Sequence, residues 1–157
     1  MKLFPTKNVT VELRNDRATT LTELRRHTQL TDTLVSEYTG KLFIGQVTES
    51  GFKIISSEIG RGAVCVFVGE LQETTGHIEI RIHKAFKILF SILMLMPLIG
   101  LGISLATQGI ERSLGPLFAA IVGILFIRLV LIGLSFRFTS KTGFNTLIGI
   151  MRIKHLT

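Results

Sequence analysis

The segment HIEIRIH, His77 to His83, holds the densest set of chemically capable residues in the chain, with His77, Glu79, Arg81 and His83 at every second position. Imidazole, carboxylate and guanidinium on one side of a strand are components of proton transfer or metal binding. The spacing opposes a shared site. Six residues of extended chain separate His77 from His83 by about 20 Å, too far for both to hold one ion. Nothing in their local sequence joins His27 to His155. Cys65 lies in the apolar run AVCVFV without an adjacent base, and one cysteine excludes an intramolecular disulfide or a cysteine-based zinc site. Gly60-Arg61-Gly62 is too short for a phosphate-binding loop. The sequence therefore assigns no catalytic, cofactor or metal residue, and a non-enzymatic protein is expected. A membrane-bound enzyme of unknown reaction is the alternative, which activity abolished by changes at Glu79, Arg81 or His83 with folding intact would support.

One further residue stands out by its surroundings. Arg128 interrupts VGILFIRLVLIGLSF, an otherwise apolar stretch from Val122 to Phe136. A charge there is explained by a side chain reaching to lipid headgroups, by pairing in a helix or subunit interface, or by a polar transport path. Arg128 is thus the candidate interaction or polar-path residue.

The elements that must position these groups divide the chain in two. Nearly half of the 157 residues are apolar, and they concentrate after Ala85. Residues 1–87 carry twelve basic and ten acidic side chains, whereas residues 88–157 carry six basic side chains and only Glu111. The excess charge flanks apolar segments and forms no dense basic run, which favours a membrane over nucleic acid as partner. Met1 to Asp16 has neither a continuous apolar region nor a small-residue cleavage site, so no signal peptide is expected there.

In the first part, Val9, Val11 and Leu13 alternate with polar residues and predict a strand. Thr20 and Glu23 have capping-box spacing and predict a helix from Leu21 to about Glu37, ended by Gly40. KLFIGQV, GFKIIS, AVCVFVGEL and HIEIRIH predict four strands, with GRGA, Gly60 to Ala63, as a turn. In the last of these, Ile78, Ile80 and Ile82 face one side and the polar residues the other, the pattern of an antiparallel sheet with one packed face.

Nineteen uncharged residues follow, Ile88 to Ala106. As a helix they cover about 28 Å, close to the hydrocarbon thickness of a bilayer. Leu114 to Phe136 is a second such stretch, broken only by Arg128, with Pro116 acceptable in its first turn. Pro97 inside the first stretch is tolerated in a membrane helix. Two spans joined by a short polar connection predict a transmembrane helical hairpin over 88–136, with residues 107–113 as an external loop. Lys84 and Lys87 precede it, and Arg137 and Lys141 follow it. By the positive-inside rule, both termini face the cytoplasm of a bacterial inner membrane. The same four residues are candidate headgroup contacts. SFRFTS predicts a further strand, so the hairpin would be inserted between neighbouring antiparallel strands. Phe144, Leu147, Ile148 and Met151 predict a final helix over the sheet, with contact at the membrane interface, helped by the nearby basic residues, as the alternative. Residues 1–87 and 137–157 then form a split cytoplasmic α+β domain.

KLFIGQVTESGFKI, SEIGRGAVCVFVGEL, HIEIRIHKAFKILFSILMLMPLIG and SFRF, in that order, resemble small bacterial membrane proteins in which a strand-rich region is interrupted by two spans, and more distantly YcxB-type proteins. The resemblance covers roughly residues 40–145 and implies an inner-membrane protein with a cytoplasmic sheet domain. It implies no catalytic residues. Several strands closed by a helix are also compatible with a pleckstrin-homology-like arrangement. The function expected is a membrane-anchored adaptor or regulatory module without a cofactor, whose partners are the lipid bilayer and a membrane protein or further copies of itself. An oligomeric pore or transport component is the alternative that makes most use of Arg128.

Overall fold

The structure is a computed structural model that describes residues 4–35, 39–57, 64–109 and 114–155. It divides into two compact units, Met1–His83 with Phe136–Thr157, and Lys84–Ser135.

The first unit is a mixed α+β domain built on a seven-stranded sheet. Its strands are β1 (Thr6–Glu12), β2 (Thr28–Leu30), β3 (Phe43–Val47), β4 (Gly51–Ser56), β5 (Cys65–Leu71), β6 (Thr75–Ile82) and β7 (Lys154–His155), and its helices are α1 (Arg17–Arg26) and α4 (Ser135–Met151). The sheet order is β2-β3-β4-β5-β6-β1-β7. From β3 to β6 it is an antiparallel meander, and β1 pairs antiparallel with the outer side of β6, Val9 opposite Ile78. The expected antiparallel sheet is extended at one edge by β2, which runs parallel to β3.

Alternation along each strand sorts the side chains. Ile54, Phe67 and Ile80 lie opposite one another on β4, β5 and β6, and all three are fully buried. Helix α4 covers this face. Its buried residues, Phe136, Thr139, Ser140, Gly143, Phe144, Leu147 and Met151, recur at helical spacing. Gly143 sets the approach, because a Cβ there would lie 2.5 Å from Phe67 Cζ. Lys7 Nζ stands 5.7 Å from the Phe144 ring centroid, tying β1 to the same helix. On the opposite face, Ile44, Ile55 and Val66 form a smaller apolar cluster with Leu34 and Val68 packed on it.

The region after β1 departs from the expected long helix. Asp16 caps α1: its carboxylate accepts from the Thr19 backbone N–H at 3.0 Å and from the Thr19 hydroxyl at 2.7 Å. The helix therefore starts four residues before the predicted Leu21. It ends at Arg26, where the Thr28 hydroxyl donates to the Leu24 carbonyl at 2.7 Å and the chain turns directly into β2. Leu21 and Leu24 are buried as the helical spacing implies, while Thr28 is buried in a strand. The predicted helix end near Glu37 and the GRGA turn lie outside the described residues.

The second unit contains α2 (Lys84–Gln108), α3 (Leu114–Phe126) and a π-helical segment (Ile127–Leu134). Helices α2 and α3 pack together, with Gly123 beside Pro97: a Cβ at Gly123 would meet Pro97 Cγ at an ordinary 3.4 Å. Both predicted apolar stretches are helical. However, SFRFTS is not a strand. The helical backbone runs without interruption from Leu114 to Met151, passing from the π-helical segment into α4. The six residues show period-2 alternation only in isolation. Over Phe136 to Met151 the buried positions follow the helical period, and packing against Phe67 selects the helix. The apolar segment consequently joins strand β6 to helix α4, and the expected insertion between two neighbouring strands is corrected.

Candidate membrane-contact surface and polar sites

The helices of the second unit expose apolar side chains along most of their length. Ile88, Ile92, Met96, Ile99 and Ile103 on α2 are all more than half exposed, and Phe118 on α3 is 70% exposed. Water would penalise such a surface, since each apolar side chain left uncovered forgoes about 1.5–3 kcal/mol of burial free energy. Hydrocarbon imposes no such penalty, and helices satisfy their backbone groups internally there. Both α2 and the Leu114–Met151 helix have the length and composition to cross a bilayer.

Arg128 is the second residue of the π-helical segment and is half-buried. It forms no hydrogen bond or ion pair among the described residues. The wider winding of a π-helix is rare and recurs at functional positions, and Arg128 is the charged side chain that this segment carries. Ser104, also in the second unit, is buried with its hydroxyl unpartnered among the described residues.

Lys84 and Lys87 occupy the first turn of α2, with Lys84 exposed. Arg137 and Lys141 are exposed on the outer side of α4, opposite the buried residues named above. Between them lies Phe138, 70% exposed, a residue that sequence alternation assigned to a strand face. Its exposure follows from helical spacing: Phe138, Lys141, Thr142 and Asn145 fall on one side.

The polar residues of β6 are arranged as expected. Ile78, Ile80 and Ile82 are buried, while His77, Glu79 and Arg81 lie on the other face. Arg81 Nη1 and Glu79 Oε2 are 3.9 Å apart and both side chains are substantially exposed, so this is a weak surface pair. His77 instead lies beside Glu70 and Thr10 across the ladder. These three, with Ser50, Gln72 and Thr75, line a half-open cleft of about 410 Å³ at one end of the sheet. No group of three or more metal-ligating side chains occurs among the described residues.

Cys65 is fully buried, and desolvation pushes its thiol up to about 12, so it is a poor nucleophile in the folded protein. Burial, and secondarily the charge of Lys53, hold the His83 imidazole below its ordinary value of 6.5. Protonating His83 is therefore harder in the folded than in the unfolded chain. Its neutral form leaves stability undiminished above about pH 6.5, and stability falls as the pH drops through that value towards the lower folded pKa. In a denaturant titration of the intact protein, His83→Gln is expected to flatten the decline between about pH 7 and pH 5. An unchanged slope would remove His83 as its source.

Comparison of the chain with protein-family models, with curated proteins and with solved structures finds no match in any of the three.

Proposed function

We propose that this protein is a two-span inner-membrane protein whose helical hairpin, α2 and α3 with the π-helical segment, anchors the α+β domain at the cytoplasmic surface. There the domain acts as a non-enzymatic adaptor or regulatory module for a membrane partner. The observation that carries the reading is the pair of long helices whose apolar side chains are exposed over most of their length. The orientation rests on Lys84, Lys87, Arg137 and Lys141 at one end and the uncharged balance of Glu111 and Arg112 at the other. Two spans suffice for anchoring. The resemblance to YcxB-type proteins belongs to the same proposal, as does a pleckstrin-homology-like reading of the sheet domain, supported by an antiparallel meander with a C-terminal helix packed on one face.

Arg128 favours a second reading, an oligomeric pore or transport component, because a half-buried guanidinium without a partner among the described residues is available for a polar path between copies. Purification of the intact protein in mild detergent, followed by mass measurement of wild type and Arg128→Leu, tests the proposal. The adaptor reading expects a stoichiometric partner or bound lipid that Arg128→Leu leaves in place. The pore reading expects a defined homo-oligomer whose reconstituted conductance the substitution changes. A monomer that repeatedly carries neither partner nor lipid would contradict both.

A further inference from the structure

Helix α4 has two faces of different chemistry. One packs on the sheet through Phe136, Gly143, Phe144, Leu147 and Met151. The other presents Arg137, Phe138, Lys141, Thr142 and Asn145, all exposed. Its charges have one sign, and from Arg112 to Thr157 the chain contains no acidic residue at all. Neither Arg137 nor Lys141 forms an ion pair among the described residues. The phenylalanine between the two cations is 70% exposed. It suits a bilayer interface, where the ring enters the acyl boundary and the cations meet lipid phosphates.

We propose that the first two turns of α4 are an anionic-lipid docking surface, in which Phe138 inserts at the bilayer interface and Arg137 and Lys141 bind anionic headgroups. The inference rests on the spanning role of the Leu114–Met151 helix. That helix has 38 residues. At about 1.5 Å each it exceeds the roughly 30 Å of hydrocarbon by a wide margin, so a span beginning near Leu114 reaches the headgroup layer near Phe136. Phe138 is therefore at the depth where aromatic side chains anchor. The charge complement selects anionic over zwitterionic lipid, because each basic residue near the surface gains attraction from the leaflet's negative potential.

The chain contains no tryptophan, which makes a single introduced indole a clean reporter. Intact Phe138→Trp is reconstituted in vesicles of zwitterionic phosphatidylcholine containing phosphatidylserine, with one or the other lipid carrying a bromine quencher. Quenching is expected from both, with phosphatidylserine preferred about fivefold at the site, and the preference falls towards unity when Arg137→Gln and Lys141→Gln are added. An indole with water-like emission and no quenching would overturn the proposal. So would a blue-shifted indole that no lipid quencher reaches, the result expected if an acidic protein covers this face. Leu125→Trp, at the middle of the proposed span and half exposed, is measured in parallel. Quenching at 125 but not at 138 rejects the docking surface alone, whereas absence of quenching at both positions rejects the spanning reading beneath it.

Discussion

Phe67→Ala is expected to destabilise the α+β unit by about 3–5 kcal/mol, the cost of removing a fully buried aromatic ring from a core that closes only partly around the space left. Phe67 has no solvent exposure, pairs across the sheet with Ile54 and Ile80, and is the residue that Gly143 of α4 approaches. The same contact predicts the opposite error at its partner. Gly143→Ala places a methyl 2.5 Å from Phe67 Cζ, so helix or ring must shift, at a cost of about 1–3 kcal/mol. In the double variant the methyl enters vacated space, and the combined loss is expected to fall short of the two single losses added together. Hydrogen exchange at the Ile54 and Ile80 amides, followed through a denaturant titration of the intact protein in detergent, measures all three variants. Additivity within about 0.5 kcal/mol would show that α4 does not depend on this contact.

The contact at Gly143 also shows where the sequence was legible and where it was not. Strands β3 to β6 were readable because each carries its own alternation and turn residues, and Ile78, Ile80 and Ile82 are buried as their spacing requires. The apolar helices were readable from length and lack of charge. SFRFTS alone predicts a strand because six residues with two phenylalanines flanking an arginine satisfy a period of two. Only continuation to Met151, and the ring of Phe67 that accepts Gly143, reveals a period of 3.6. The exposure of Phe138 depends on its being helical and does not follow from a period of two. The reverse happened at Thr28, which falls on the helical period from Leu21 and Leu24 yet is buried in a strand. A hydrogen bond from its own hydroxyl to the Leu24 carbonyl accompanies the exit from α1, a local competition that periodicity does not register.

Among the candidate interaction residues, Arg128 and the four basic flanks were evident from charge standing beside apolar sequence. The π-helical winding around Arg128 was not, because it depends on which carbonyl each amide selects rather than on residue type. The cleft lined by Glu70, His77 and Thr10 was likewise out of reach, since its residues come from three strands and become neighbours only through the register of the sheet. His77 was expected to share a face with Glu79 and Arg81, and it does. Its cross-strand neighbours could not be read from the spacing within one strand.

The proposed sidedness of the chain carries the largest expected effect of all. In the proposed topology, a two-span anchor with basic residues at both outer flanks would put Thr10 and residue 108 on opposite sides of the bilayer, so their accessibility from outside would differ in an all-or-none manner. Single cysteines introduced as Thr10→Cys and Gln108→Cys can be compared without removing Cys65, because that thiol is buried and held un-ionised in the folded protein. Thr10 is exposed on the sheet surface, so a failure to label it from outside would reflect the membrane rather than the fold. Intact cells are treated with a membrane-impermeant maleimide before and after permeabilisation. The proposed topology predicts that Gln108→Cys labels in intact cells and that Thr10→Cys labels only once the membrane is opened. External labelling of Thr10→Cys, or equal labelling of both in intact cells, would contradict it.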